Sequence, residues 1–248
     1  MRYNTRYRYT TFSPSGFLPT GVKWLLISNV AVFLLMYLTG GTGFGEAFLL
    51  LALAPRAVIY HLAIWQLATY LFLHAGIWHL LVNMFTLWMF GVSLEQEWGT
   101  RRFLKYYFLC GIGAGVCDVL VNAILGHWGT RTVGASGAIY GLLLAFGVMY
   151  PNQTIFFNFL FPIKAKYFVM IYGAIELLSA FSANPSGVSN IAHLGGMLFG
   201  YVYLKVRIPG FDLGVLRQQY RTWKLQRAKR KFQVYMRKHN SDRDRWVN

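Results

Sequence analysis

The sequence is short of acid. Only 8 Asp and Glu stand against 24 Lys and Arg in 248 residues, and the charged residues together make up 13% of the chain. Soluble domains carry roughly a quarter charged residues, so the average soluble fold is excluded. A net charge of +16 would ordinarily point to nucleic acid. Here the basic residues avoid the long apolar runs and gather at their ends, which argues against that partner. Cysteine is scarce too: Cys110 and Cys117 lie seven residues apart in one apolar segment. They share a helix face, cannot bridge each other, and read as buried free thiols. No internal repeat and no low-complexity block is visible. No cleavable signal is read either, because the first apolar run ends in Gly40-Gly41-Thr42-Gly43 rather than a small-residue cleavage site. The acid-free start with Arg2, Arg6 and Arg8 could imitate a mitochondrial presequence, but a cytoplasmic flank is the simpler reading.

What is abundant is apolar surface, at 56% of the residues. A single small core cannot bury that much, so much of it must face lipid. Apolar spans read at about Val22–Leu38, Leu71–Phe90, Phe103–Leu125, Ser136–Tyr150, Ala165–Phe181 and Ser189–Val206. Most approach the roughly 20 residues that cross about 30 Å of hydrocarbon; the fourth is shorter. With the N-terminus inside, only Arg56 and Arg131 of the 24 basic residues fall outside, so both termini are expected in the cytoplasm. The expected fold class is an all-α membrane protein, a six-helix bundle with both ends in. Its parts are a basic N-terminus (1–21), the six-helix domain (22–208) and a basic tail (209–248). The apolar connection Thr39–Tyr70 is expected in the outer membrane interface. The tail, with Tyr220, Trp223, Phe232, Tyr235 and Trp246 among its basic residues, reads as a helix on the anionic cytoplasmic leaflet.

Polar side chains inside lipid are costly and need a reason. His79 and Asn83 are four apart in the second span and share one helix face. The fourth span opens Gly134-Ala135-Ser136-Gly137, and the sixth carries Ala192-His193 with Gly196 and Gly200. Ser136 lies fifteen residues from Pro151 and His193 twelve from Lys205, roughly 22 and 18 Å along a helix. His79 and Asn83 stand sixteen and twelve residues from Glu95, roughly 24 and 18 Å. All four fall in one layer beneath the outer face. A serine hydroxyl needs a neighbouring base to become nucleophilic, and His193 is the candidate. Asn83, His79 and the Ser136 N–H could stabilise an oxyanion. The glycines at 134, 137, 196 and 200 would let the fourth and sixth helices approach closely.

These motifs resemble the rhomboid intramembrane serine proteases: Gly134-Ala-Ser136-Gly137 with Tyr140, Ala192-His193-x-x-Gly196-x-x-x-Gly200, and His79 with Asn83. The resemblance runs from about residue 60 to 205. It implies Ser136 as nucleophile and His193 as general base, a dyad without a third acidic member. It further implies Tyr140 stacked on the His193 ring, and His79 with Asn83 completing the oxyanion hole. No cofactor and no metal are implied. The substrates would be single-span or membrane-anchored proteins, cut near the outer face beside a small residue. Glu95-Gln-Glu-Trp-Gly99 is similar to the family's cap of the second span. Trp65-Gln66 departs from the Trp-Arg of many members, which touches loop anchoring rather than the dyad. The fifth span, proposed as the family's gate, carries little motif, and no gate residue is assigned.

Each residue also has a plainer reading. Ser136 could be a small packing residue, and His79 and Asn83 structural hydrogen-bonders. His74 reads as structural, and His61 and His127 as surface residues. Asp118 and Glu176 are the other ionisable groups inside spans, and they raise an ion pathway or, for Asp118, a third member orienting His193. No third ligand joins the histidines in their layer, so metal is discounted. The expected function is an intramembrane serine endopeptidase in a bacterial-type plasma membrane. A catalytically silent membrane binding protein and a small-solute transporter are the alternatives.

Overall fold

The computed structural model describes residues 18–40, 42–157, 161–180 and 189–205. The basic N-terminal stretch to Phe17, the tail from 209 and the ends of the fifth and sixth predicted spans lie outside the described residues.

A helix occupies each of the six apolar ranges. They are α1 (Thr20–Leu38), α5 (Ile77–Trp98), α6 (Thr100–Ile124), α7 (Ser136–Met149), α8 (Ala165–Ala180) and α9 (Asn190–Lys205). Three of them, α1, α5 and α6, are long and apolar enough to cross a membrane. The other three have 14, 16 and 16 residues. At 1.5 Å per residue, 14 residues make about 21 Å of helix. The outward faces are apolar, with Trp24, Leu34, Trp78, Val82, Met170, Leu178 and Leu198 all exposed. Water would not tolerate so many large apolar side chains on one surface.

Two expectations change. The apolar run from Leu71 predicts the start of the second span, but α5 begins at Ile77. Tyr70–Phe72 is a 3-10 turn, Leu73 is extended, and Gly76 is fully extended at φ −174°. Leu71 and Leu73 are buried in the protein interior, so their hydrophobicity serves the core rather than a lipid-facing first turn. The chain is also not purely helical. Strands β1 (Thr154–Phe157) and β2 (Phe161–Lys164) pair antiparallel with Thr154 opposite Lys164, and β2 leads directly into α8. β1 reads Thr154-Ile155-Phe156-Phe157, a four-residue run without alternation, too short for a strand signal to stand out.

Between α1 and α5 lie three short helices, α2 (Gly43–Ala47), α3 (Pro55–His61) and α4 (Gln66–Thr69). Buried Gln66 ties this connection together: its amide nitrogen donates to Leu50 O at 3.0 Å and its oxygen accepts from Ala54 N at 3.1 Å. Trp65 Nε1 donates to the same Leu50 carbonyl at 3.2 Å. A neutral amide supplies both donor and acceptor here, which an arginine could not. Leu50, Leu62, Ile64 and Trp65 are exposed, an apolar rim on the connection.

Glu95 has a different duty from the one its motif implied. Its buried carboxylate accepts from the N–H groups of Gly21 and Val22, each at 2.7 Å, and from Thr100 Oγ1 at 2.6 Å. The first turn of α1 has N–H groups with no intrahelical acceptor, and a carboxylate there also meets the positive end of the helix dipole. Glu95 therefore caps α1 and fastens it to the end of α5. The core lies between α5, α6 and α7, around Leu87, Leu94, Phe103, Tyr106, Tyr107 and Leu142.

Candidate active site

The site is built on the seam where α7 and α9 meet. A Cβ on Gly196 would run into the carbonyl of Gly137, and one on Gly200 into the hydroxyl of Tyr106. A Cβ on Gly141 would lie 2.5 Å from Cys110 Sγ. The Gly196–Gly137 approach is backbone to backbone, while Gly141 and Gly200 make room for Cys110 and Tyr106 of α6. Tyr106 Oη crosses from α6 to donate to Gly141 O at 2.8 Å, so the seam is also pinned from its third side.

Ser136 is the first residue of α7. Ahead of it, Gly134 takes φ +121°, a region that side chains rarely adopt, and its N–H donates to Tyr70 O at 2.9 Å. A Cβ there would come within 2.7 Å of His79 Nε2, so the glycine leaves room for that ring. The first bond of α7 runs from Ile139 N to Ala135 O. The N–H groups of Ser136, Gly137 and Ala138 thus lack an intrahelical acceptor and stand at the positive end of the helix.

His193 comes from the first turn of α9. Ser189 caps that turn, accepting Ala192 N–H on Oγ at 3.1 Å and His193 N–H on its carbonyl at 3.2 Å. The Ser189 hydroxyl in turn donates to Asp118 of α6. Asp118 also accepts from Thr132 Oγ1 at 2.8 Å and Asn122 Nδ2 at 3.1 Å. With three partners of its own, Asp118 holds the cap of α9 rather than the imidazole.

Ser136 Oγ and His193 Nε2 are 2.7 Å apart. The Tyr140 ring lies flat on the imidazole, centroids 4.2 Å apart at 12°. Tyr140 Oη donates to Glu176 of α8, and the other oxygen of that carboxylate lies 3.0 Å from His193 Nδ1. The last approach is within hydrogen-bonding distance but off the direction of an N–H on that nitrogen. Neither buried atom has another hydrogen-bond partner among the described residues. His193 and Glu176 are both largely shielded from solvent, at 5% and 7% exposure, while Ser136 is half-buried.

The α5 residues are arranged less directly. His79 faces Gly134, and its Nδ1 accepts from Ala75 N–H at 3.4 Å, which leaves Nε2 as the ring's proton-bearing nitrogen toward the serine turn. Asn83 is buried, but its amide donates back to the His79 carbonyl at 2.7 Å. His74 stands before α5 with its ring edge-on to His79 at 5.1 Å, and its buried nitrogens have no hydrogen-bond partner among the described residues. His61 and His127 are exposed. Among the described residues no group of three His, Cys, Asp or Glu could hold a metal ion.

A hydroxyl this close to an imidazole, at the N-terminus of a helix with free N–H groups, is an arrangement suited to acyl transfer. The rhomboid domain model matches residues 61–209, more than half of the chain. The chain belongs to the rhomboid family. RHOMBOID-like protein 2 of Arabidopsis thaliana is 35% identical over 190 residues, 74% of this chain and 54% of that protein. RHOMBOID-like protein 1 of the same plant is 37% identical over 158 residues, covering 62% and 38%. Rhomboid protease GluP of Bacillus subtilis (strain 168) is 29% identical over 183 residues, covering 74% and 34%. The chain thus spans from about a third to about half of the length of these curated relatives.

Rhomboids are integral membrane proteins and generally serine intramembrane proteases, and the exposed apolar helices of this rhomboid agree with residence in a membrane. The sequence did not pair Glu176 with His193, nor Tyr70 with Gly134, nor Ser189 with Asp118; Glu176 entered only as part of an ion pathway. Glu176 and Asp118 belong to separate hydrogen-bonded groups, so they do not form a chain of acids.

Proposed function

We propose that this rhomboid is an intramembrane serine endopeptidase in which Ser136 is the nucleophile and His193 the general base. The observation that carries the reading is the 2.7 Å contact between Ser136 Oγ and His193 Nε2 at the head of α7. As Oγ attacks the scissile carbonyl, its proton passes to Nε2, and the imidazolium then gives that proton to the departing amine. Water repeats the sequence on the acyl-enzyme, returning the serine and releasing the new carboxyl group. The Ser136 N–H and His79 Nε2–H are the donors nearest the developing oxyanion. Asn83 joins them once its amide leaves the His79 carbonyl, a rotation that substrate binding would drive.

Six crossings with both termini in the cytoplasm are part of the same reading, supported by the charge distribution and by Glu95 capping α1 near Lys23. The recessed serine then opens toward the outer side, and the substrates are membrane-anchored proteins with a locally unwound helix. Unwinding is required because a helix keeps its carbonyls in hydrogen bonds. A bacterial-type plasma membrane, with the basic tail on its anionic leaflet, completes the proposal.

The test is cleavage of a transmembrane reporter by the reconstituted chain. Ser136→Ala and His193→Ala are each expected to lower kcat by about 10⁴-fold or more, with the protein still folded. A serine-directed phosphonate should label the wild type at Ser136 and leave His193→Ala unlabelled. Cleavage undiminished in Ser136→Ala would sink the mechanism, and a wild type silent on varied reporters would favour the binding-protein reading.

A further inference from the structure

A carboxylate in an apolar helix is costly unless every oxygen is engaged. Glu176 lies in α8 among Ile175, Leu177 and Leu178, all of which are exposed to the apolar surroundings. Its own side chain turns inward. One oxygen receives the Tyr140 hydroxyl and the other lies 3.0 Å from His193 Nδ1. The opposite ring nitrogen, Nε2, is the one 2.7 Å from Ser136 Oγ. The imidazole is therefore held between a hydroxyl and a carboxylate, with Tyr140 stacked on its face.

We propose that Glu176 is a positioning residue that keeps His193 in its Nδ1–H tautomer, so that three helices supply a Ser136–His193–Glu176 relay. The proposal rests on the protease reading above and adds to the serine–histidine pair a member from α8. A carboxylate accepts and does not donate, so the ring nitrogen facing it carries the proton. Nε2 is then left with its lone pair toward the Ser136 hydroxyl, as a base requires. During acylation the serine proton moves to Nε2, and the imidazolium keeps its Nδ1–H against Glu176. The proton on Nε2 leaves with the amine. Glu176 stays ionised throughout, so it touches neither substrate nor the bonds that change. Asp118 has no share in this, because Ser189, Thr132 and Asn122 occupy it.

Glu176→Gln tests it in the full chain reconstituted with the transmembrane reporter. The glutamine keeps the size of the side chain, but its amide can donate to Nδ1 and favour the unproductive tautomer. The expected result is a kcat about 10²- to 10⁴-fold below wild type, with KM within about twofold and an unchanged melting temperature. Glu176→Asp should recover part of the loss. A second measurement reads the wild-type ring itself rather than a Glu176 variant: ¹⁵N spectra of histidine-labelled wild type, with His193 assigned by the signal lost in His193→Asn. These should show a proton on Nδ1 and none on Nε2 in the neutral ring. Wild-type kcat in Glu176→Gln, or a neutral ring protonated on Nε2, overturns the proposal. Those outcomes are separate from the failure of the protease reading, which would show as a wild type that never cleaves or a Ser136→Ala that does.

Discussion

Helices α7 and α9 meet backbone to backbone, whereas α8 reaches the same histidine only through side chains. On the first side, a Cβ on Gly196 would strike the Gly137 carbonyl and one on Gly141 would lie 3.2 Å from the Gly196 carbonyl. On the second, Glu176 touches His193 and accepts from Tyr140, and Met197 lies over Gly173. The difference has a mechanical meaning. A backbone seam has no rotamers, so it fixes the distance between Ser136 and His193. A side-chain contact can be rearranged at a cost of about a kilocalorie per rotamer, so α8 sets how the imidazole is turned rather than where it stands. The outer face of α8 leaves Met170, Ile171 and Leu177 exposed.

The hardest way to break this contrast is to put one methyl group into the seam. Gly196→Ala drives a Cβ into the Gly137 carbonyl, where nothing flexible can yield. The helices must part, and overpacking of this kind costs about 1–3 kcal/mol. A displacement of about 1 Å between nucleophile and base costs about 10²-fold in rate. We expect cleavage of the reporter to fall by at least that factor and the melting temperature to drop. Retention of wild-type cleavage would mean that the seam does not set the serine–histidine distance.

The seam was legible in the sequence because glycine at four-residue spacing has one strong physical use inside a membrane. Counting residues up from the inner ends likewise put Ser136 and His193 in one layer, since helical rise is nearly constant. The start of α5 was not legible. Leu71-Phe72-Leu73 is equally apolar whether it faces lipid or core, and composition alone does not separate the two. The cap that Glu95 places on α1 joins positions 73 and 74 apart in the chain, a pairing that no local pattern encodes. Glu176 could have been found. It lies ten residues from Lys166, roughly 15 Å up its helix, within a turn of His193 by the same count. As an acid inside a span it resembles Asp118, but its level along the helix is that of the histidine.

A smaller effect should come from the link between the two regions. Tyr140 belongs to the seam helix, stacks on His193 and donates its hydroxyl to Glu176. Tyr140→Phe keeps the stack and removes only the hydrogen bond, worth about 1 kcal/mol net. We expect kcat to fall about fivefold, with KM and thermal stability close to wild type. The double variant with Glu176→Gln should then lose little more than Glu176→Gln alone, because the hydroxyl acts through the carboxylate. Losses that multiply fully would separate the two side chains and weaken the link between α7 and α8.

The mildest change is the most informative about α8. A Cβ on Gly173 would lie 3.3 Å from Met197 Cε, the far end of a flexible side chain that can swing aside. Gly173→Ala also gains helix propensity, about 1 kcal/mol in water and less in lipid. Cleavage is therefore expected within about twofold of wild type, with a melting temperature equal or slightly higher. Gly173 and Gly196 would then differ by some two orders of magnitude for the same added methyl group, one against a side-chain tip and the other against backbone. If Gly173→Ala instead lost as much activity as Gly196→Ala, α8 would be held to α9 as rigidly as α7 is, and Glu176 would be fixed by its helix rather than by its contacts with Tyr140 and His193.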